Sequence, residues 1–178
     1  GRGANAGGHD QGRRGAAAVI DLDDLDRGIL RLLVRDGTVS AGEIGRVLGL
    51  SQPAAWRRVK RLEEAGVLAG RRIEVDRAAL GFGVTVFLGI KLATKGRVSL
   101  EDFERAATAI PEVQVVQHVL GLFDYRLRVV ARDIADFERV LRRRIMTLPG
   151  VGNVEANVLL TEERRPGPLG AADPVVKG

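Results

Sequence analysis

The apolar residues of this chain change their period once, and that change limits the folds open to it. Between residues 24 and 66 they recur at three- and four-residue spacing, as one stripe of an α-helix requires. From residue 84 onward they alternate one by one in several short runs, as half-buried strands require. A small all-helical unit followed by a mixed unit of strands and helices is the α+β arrangement this implies. The 178 residues suffice for two small domains of this kind.

In the first part, Leu25, Ile29, Leu32 and Leu33 form one helical stripe, which Gly37 stops. Ser40 followed by Glu43 reads as a capping box for a second helix, with Ile44, Val47 and Leu48 facing inward. Gly49 breaks the chain and Ser51 caps a third helix. Pro53 is tolerated in its first turn, where the amide needs no partner. Ala55, Val59 and Leu62 face inward until Gly66 ends it.

Two helices joined by the short turn LGLS are the pattern of a helix-turn-helix, whose second member enters the major groove of DNA. The stretch SQPAAWRRVKRLEEAG carries Arg57, Arg58, Lys60 and Arg61 before its first acid. With the apolar stripe turned inward, Arg57, Arg58 and Arg61 are expected to project outward, and Gln52 and Ala54 to sit at the tip. Ser51, Gln52, Ala54, Arg57, Arg58 and Arg61 are therefore the candidate DNA contacts. The formal charge is only +5, so its distribution matters more than its total. Acids gather early, at Asp21, Asp23, Asp24 and Asp26, and bases late, which suggests one electropositive side suited to a polyanion. Trp56, the one tryptophan, reads as a lid on the small core or as part of a subunit contact.

Residues 71–76, RRIEVD, read as a linking strand or a hinge, and residues 84–160 as strand, helix, strand, strand, helix, strand. The segments FERAATAIPEVQVV and FERVLRRRIMTLPGVGNV echo each other, the second with a helix about one turn longer. Duplicated strand-helix-strand units point to a ferredoxin-like βαββαβ domain, an antiparallel sheet with helices on one side. Phe87, Val116, Leu120, Val130 and Leu159 are expected on its other face, where a partner subunit would cover them.

The expected organisation is a disordered segment over 1–18, a helix-turn-helix domain over 19–70, a linker strand over 71–83, a ferredoxin-like domain over 84–163 and a loose tail over 164–178. The absence of cysteine excludes disulfides, thiolate zinc sites and a cysteine nucleophile. His9 falls in the loose first segment and His118 stands alone on a strand. No phosphate loop, Ser-His-Asp set or paired-carboxylate motif is recognisable, so no catalytic residue, metal or cofactor is expected. No apolar stretch is long enough to span a bilayer, and a soluble cytoplasmic protein is the expectation. The competing reading is a metabolite-binding ferredoxin-like sensor, or a dimeric α/β-barrel enzyme, without specific DNA binding.

LDRGILRLLVRDGTVS (25–40), LGLSQPAAWRRVKRLEEAGVL (48–68), GLFDYRLRVVARD (121–133) and LPGV (148–151), in this order, resemble the Lrp/AsnC family, the feast/famine transcription regulators. The resemblance runs from about Leu22 to Glu163. It implies a DNA-reading N-terminal domain and a C-terminal domain that pairs sheet to sheet into dimers, which often join into tetramers or octamers. It also implies that an amino acid or related metabolite binds partly through the loop Gly121-Leu122-Phe123-Asp124-Tyr125. At Leu122 the family commonly carries a polar residue that helps hold a ligand's amino group. A less polar ligand, a different binding set or no ligand all stay open.

Overall fold

The computed structural model describes residues 20–93 and 96–165, so the expectations for 1–18 and for the tail from 166 onward lie outside the described residues. The chain divides into two compact units, with boundaries between Ile73 and Glu74 and between Glu163 and Arg164.

The first unit is three helices. α1 (Asp24–Arg35) opens with a capping box made by two aspartates: the Asp23 carboxylate accepts from the Asp26 N–H at 2.8 Å, and that of Asp26 accepts from the Asp23 N–H at 3.2 Å. α2 (Ala41–Leu48) has only the serine half of the box expected there. Ser40 Oγ accepts from the Glu43 N–H, while the Glu43 carboxylate pairs with Arg46. Gly49, at φ +69°, ends α2 in the left-handed region that glycine enters without strain. α3 (Gln52–Glu64) is capped by Ser51 Oγ, which accepts from the Ala54 N–H at 3.3 Å.

Ile29, Leu30, Leu33, Ile44, Ala55, Val59 and Leu62 form the shared core. The buried stripe of α1 is thus Asp26, Ile29, Leu30 and Leu33, while Leu25 and Leu32 are only half-buried. Val47, expected inside, is 49% exposed, because Ile44 and Gly45 supply the inward positions of this two-turn helix. A Cβ on Gly45 would stand 2.5 Å from the Leu50 carbonyl oxygen, so the turn into α3 closes directly over the α2 backbone.

The second unit runs β1 (Val84–Leu92), α4 (Arg97–Thr108), β2 (Val113–His118), β3 (Tyr125–Ala131), α5 (Ile134–Val140) with a π-helical turn (Leu141–Ile145), and β4 (Val151–Val158). The sheet order is β2-β3-β1-β4 and every pairing is antiparallel, which is the expected βαββαβ topology. Val86, Leu88, Ile90 and Leu92 of β1 meet Leu127 and Val129 of β3 under the helices. Both members of the Phe-Glu-Arg echo pack alike, with Phe103 and Phe137 buried in this core.

The uncovered sheet face differs from expectation. The register shifts between Val113 and Val115, so Val115 pairs with Arg128 and Val116 with Leu127. Val116 therefore turns toward the helices, where it packs on the core. Leu120 lies beyond the end of β2 in a loop, fully exposed. Phe87 stays on the uncovered face with the Arg128 guanidinium 5.7 Å from its ring centre, making that face part apolar and part cationic. Of the expected linker strand, residues 71–76 pair with no strand among the described residues, and Ile73 is 92% exposed. A lone extended stretch has no ladder to satisfy its amides within one chain, and residues 77–81 form turns instead. No helix among the described residues is long and apolar enough to cross a membrane.

Candidate nucleic-acid interface and effector loop

The exposed side of α3 is built on the burial of its other side. Ala55, Val59 and Leu62 lock the helix onto α1 and α2, and the Ser51 cap fixes where it begins. At about 100° per residue this stripe turns Arg57 almost straight outward, and Arg58 to the flank that faces α1. Arg57 is exposed and makes no ion pair among the described residues. Arg58 does the opposite: its Nη1 donates to Asp23 Oδ2 at 2.7 Å and to Asp26 Oδ1 at 2.9 Å. Arg61 Nη2 donates to the second oxygen of Asp26. The expectation that all three arginines stand clear of the protein is thus corrected, because the acids of α1 lie beside the bases of α3.

Asp26 is fully buried and is the sole buried charged residue among those described. The Asp23 carboxyl is held below the usual range, first by the Asp26 N–H and then by Arg58. Arg58 is in turn pushed above its ordinary value by hydrogen bonds to Asp23 and Asp26. Asp23, Ala54, Arg57, Arg58 and Arg61 line an open concavity of about 360 Å3. Gln52, at the tip, is not aimed only outward, since its side chain approaches Gly42 at the start of α2. Trp56 is 53% exposed, with the Lys60 ammonium 5.9 Å from its ring centre, so it is no lid on the core. Lys60 also pairs with Glu63 at 2.8 Å.

The role of Asp26 is carried by no signal within one element: its i, i+3 spacing from Asp23 marks a helix start, and the pairing with Arg58 and Arg61 arises only when α1 and α3 pack together.

In the second unit the loop after β2 is pinned at several points. The Val119 N–H donates to the Asp124 carbonyl at 3.0 Å and the Asp124 N–H to the Ile90 carbonyl at 2.9 Å. The Asp124 carboxylate accepts from the Leu92 N–H at 2.8 Å, where the β1–β4 register shifts. Phe123 folds back over Gly89, and Gly121 and Leu122 are left exposed. Tyr125 is fully buried between Phe103 and His118, with ring centres 4.5 Å and 4.8 Å away. Its hydroxyl donates to Glu104 Oε1 at 2.7 Å. Burial, and then the Glu104 carboxylate, push this phenol above its ordinary value. Of the five loop residues, Gly121 and Leu122 face solvent within the single chain, while Asp124 and Tyr125 have structural partners. Among the described residues no group of three His, Asp or Glu side chains could hold a metal ion.

Residues 22–63 match the AsnC-type helix-turn-helix domain, and residues 85–168 match the Lrp/AsnC ligand binding domain. The proline dehydrogenase transcriptional activator of Rhizobium radiobacter is 34% identical over 147 residues, 83% of this chain and 94% of that protein. The leucine-responsive regulatory protein of Haemophilus influenzae is 33% identical over 144 residues, 81% of this chain and 87% of its own. A crystal structure of an AsnC family transcriptional regulator from Agrobacterium tumefaciens superposes with a TM-score of 0.75 at 32% identity, over 82% of this chain and 95% of that one. With both domains matched in order and relatives alike along most of their length, the chain belongs to the Lrp/AsnC family of transcriptional regulators.

Proposed function

We propose that this protein regulates transcription by placing α3 in the major groove of imperfect palindromic promoter sites, as a dimer or larger assembly of identical chains. One observation carries the reading: Arg57 stands at the outermost position of a capped, core-locked helix and makes no ion pair among the described residues. Ser51, Gln52, Ala54, Arg57, Arg58 and Arg61 form the contact set, with Arg57 as its freely charged member. Two such helices in a dimer meet successive major grooves about 34 Å apart. Titration of fluorescent duplexes, starting with the promoter of the neighbouring gene, tests this. The absence of any complex at low ionic strength would refute it.

The effector is an amino acid or a related small metabolite, held partly by Gly121, Leu122, Phe123, Asp124 and Tyr125. Support comes from the ligand binding domain match and from a relative named for its response to leucine. Within this set Gly121 and Leu122 offer surface, and Phe123, Asp124 and Tyr125 shape the loop that presents it. Occupancy changes how dimers associate, by no more than the ligand's difference in affinity between the two states. Light scattering across a panel of amino and keto acids tests this part, and a mass indifferent to every compound would overturn it. The protein acts in the cytoplasm without catalysis or resident cofactor.

A further inference from the structure

We propose that Asp26, seconded by Asp23, is a specificity-determining positioning residue: it fixes the guanidinium groups of Arg58 and Arg61 so that they read base edges rather than merely attract phosphate. The inference rests on α3 being the DNA-reading helix.

Three observations meet here. The Asp26 side chain is fully buried, so its two oxygens cannot follow a moving partner. Each oxygen takes a different arginine, Oδ1 from Arg58 and Oδ2 from Arg61, and Asp23 Oδ2 takes Arg58 a second time. Both arginines line the open concavity beside the unpaired Arg57.

A guanidinium has five N–H donors in one plane. Arg58 uses Nη1 and Arg61 uses Nη2 on these acids, which leaves donors of each group unspent. The consequence is a division of labour. Charge controls attraction to phosphate, and two carboxylates offset much of it at Arg58 and Arg61. Orientation controls recognition of a base edge, and the same carboxylates supply it before DNA arrives. Arg57, with no such partner, is left as the charge-driven contact.

The test is the salt dependence of binding by the intact chain, with duplexes selected from a random pool by the wild-type protein and a scrambled duplex of equal length. Asp26→Asn keeps the shape and, with its one oxygen on the Asp23 N–H, the capping contact, but it removes the charge and sets an NH2 donor against Arg58. It should tighten binding to the scrambled duplex at low salt and steepen the log–log salt slope by about one to two, near 0.9 for each newly engaged phosphate. Discrimination between selected and scrambled duplexes should fall several-fold. A folded Asp26→Asn protein with weaker binding to both duplexes and an unchanged slope would overturn the proposal, since a purely structural role predicts that result.

Asp23→Asn guards against misfolding of the first variant, because asparagine caps a helix as well as aspartate does. It removes one of the two carboxylates that hold Arg58 and leaves Asp26 on both arginines, so it should steepen the slope by less than Asp26→Asn does. An unchanged slope there would also overturn the proposal. If the wild-type protein bound neither duplex at low salt, the DNA reading itself would fall, and the variants would show the same blank titration.

Discussion

Phe123 lies so close over Gly89 that a Cβ built on the glycine would stand 2.7 Å from the aromatic ring. The loop expected to meet the effector is therefore seated on β1 through a missing side chain. Gly89→Ala should unseat the ring and destabilise the second unit by about 1–3 kcal/mol, as overpacking does. Calorimetry would register a lower unfolding temperature, and effector-dependent assembly should weaken with it. An unchanged profile would mean that Phe123 moves aside without cost.

Tyr125 is the single tyrosine of the chain, so its ionisation can be followed by ultraviolet absorbance without overlap. Its folded value lies above the ordinary one because burial and Glu104 disfavour the phenolate. The stability linked to this group is complete below the unfolded value of about 10 and is lost as pH rises beyond it. The native protein should show no phenolate signal through the usual tyrosine range, and the signal should appear together with unfolding. Tyr125→Phe should remove that linkage at a cost of about 0.5–1.5 kcal/mol for the lost hydrogen bond.

Acid should loosen the helical unit through Asp23 and Asp36, whose carboxyls are both held low, the latter by Thr38. A lowered folded value means that the stabilisation is complete above about pH 4 and disappears as pH falls through the folded value. Fluorescence of Trp56, the one tryptophan, reports this unit. Asp23→Asn should flatten the acid limb of its unfolding midpoint, leaving the part due to Asp36.

Gly45→Ala places a methyl 2.5 Å from the Leu50 carbonyl oxygen, a backbone atom that cannot rotate away. The turn between α2 and α3 must then open, at a cost of about 2–3 kcal/mol. Urea titration followed by Trp56 should show an earlier midpoint, and duplex binding should be lost before the second unit unfolds.

Arg57→Ala should weaken binding to every duplex and reduce the magnitude of the salt slope by about 0.9 if the contact is to phosphate. A loss of about 1–3 kcal/mol confined to one base position would instead place it on guanine. No change in either measure would remove Arg57 from the interface.

The strands of the second unit were legible because the apolar residues of β1, and those of β3 up to Val129, fall at every second position with one face under the helices. Val116 was misassigned because a register shift is a property of two strands together, invisible in either alone. Leu30 and Val47 show a second limit: a helix packed by two neighbours buries a sector whose centre depends on both. The acids at the start of α1 were legible only as negative charge set apart from the bases of α3. Only the fold brings Asp26 under Arg58 and Arg61. Patterns internal to one element were therefore readable, and pairings between elements were not.

The π-helical turn in the second helix of the sheet domain, closed by the Met146 N–H on the Leu141 carbonyl at 2.9 Å, carries one residue more than a regular turn would. That surplus residue sets the phase, so that Ile145 and Leu148 point inward while Arg144 reaches Glu112 at the surface. Losing one of the three successive arginines by deletion would convert the wide turn to an ordinary one and leave the greasy side aligned. Gaining a residue there would have no such remedy. Length variation among relatives at this place should accordingly run toward shortening, with the interior beneath it unaltered.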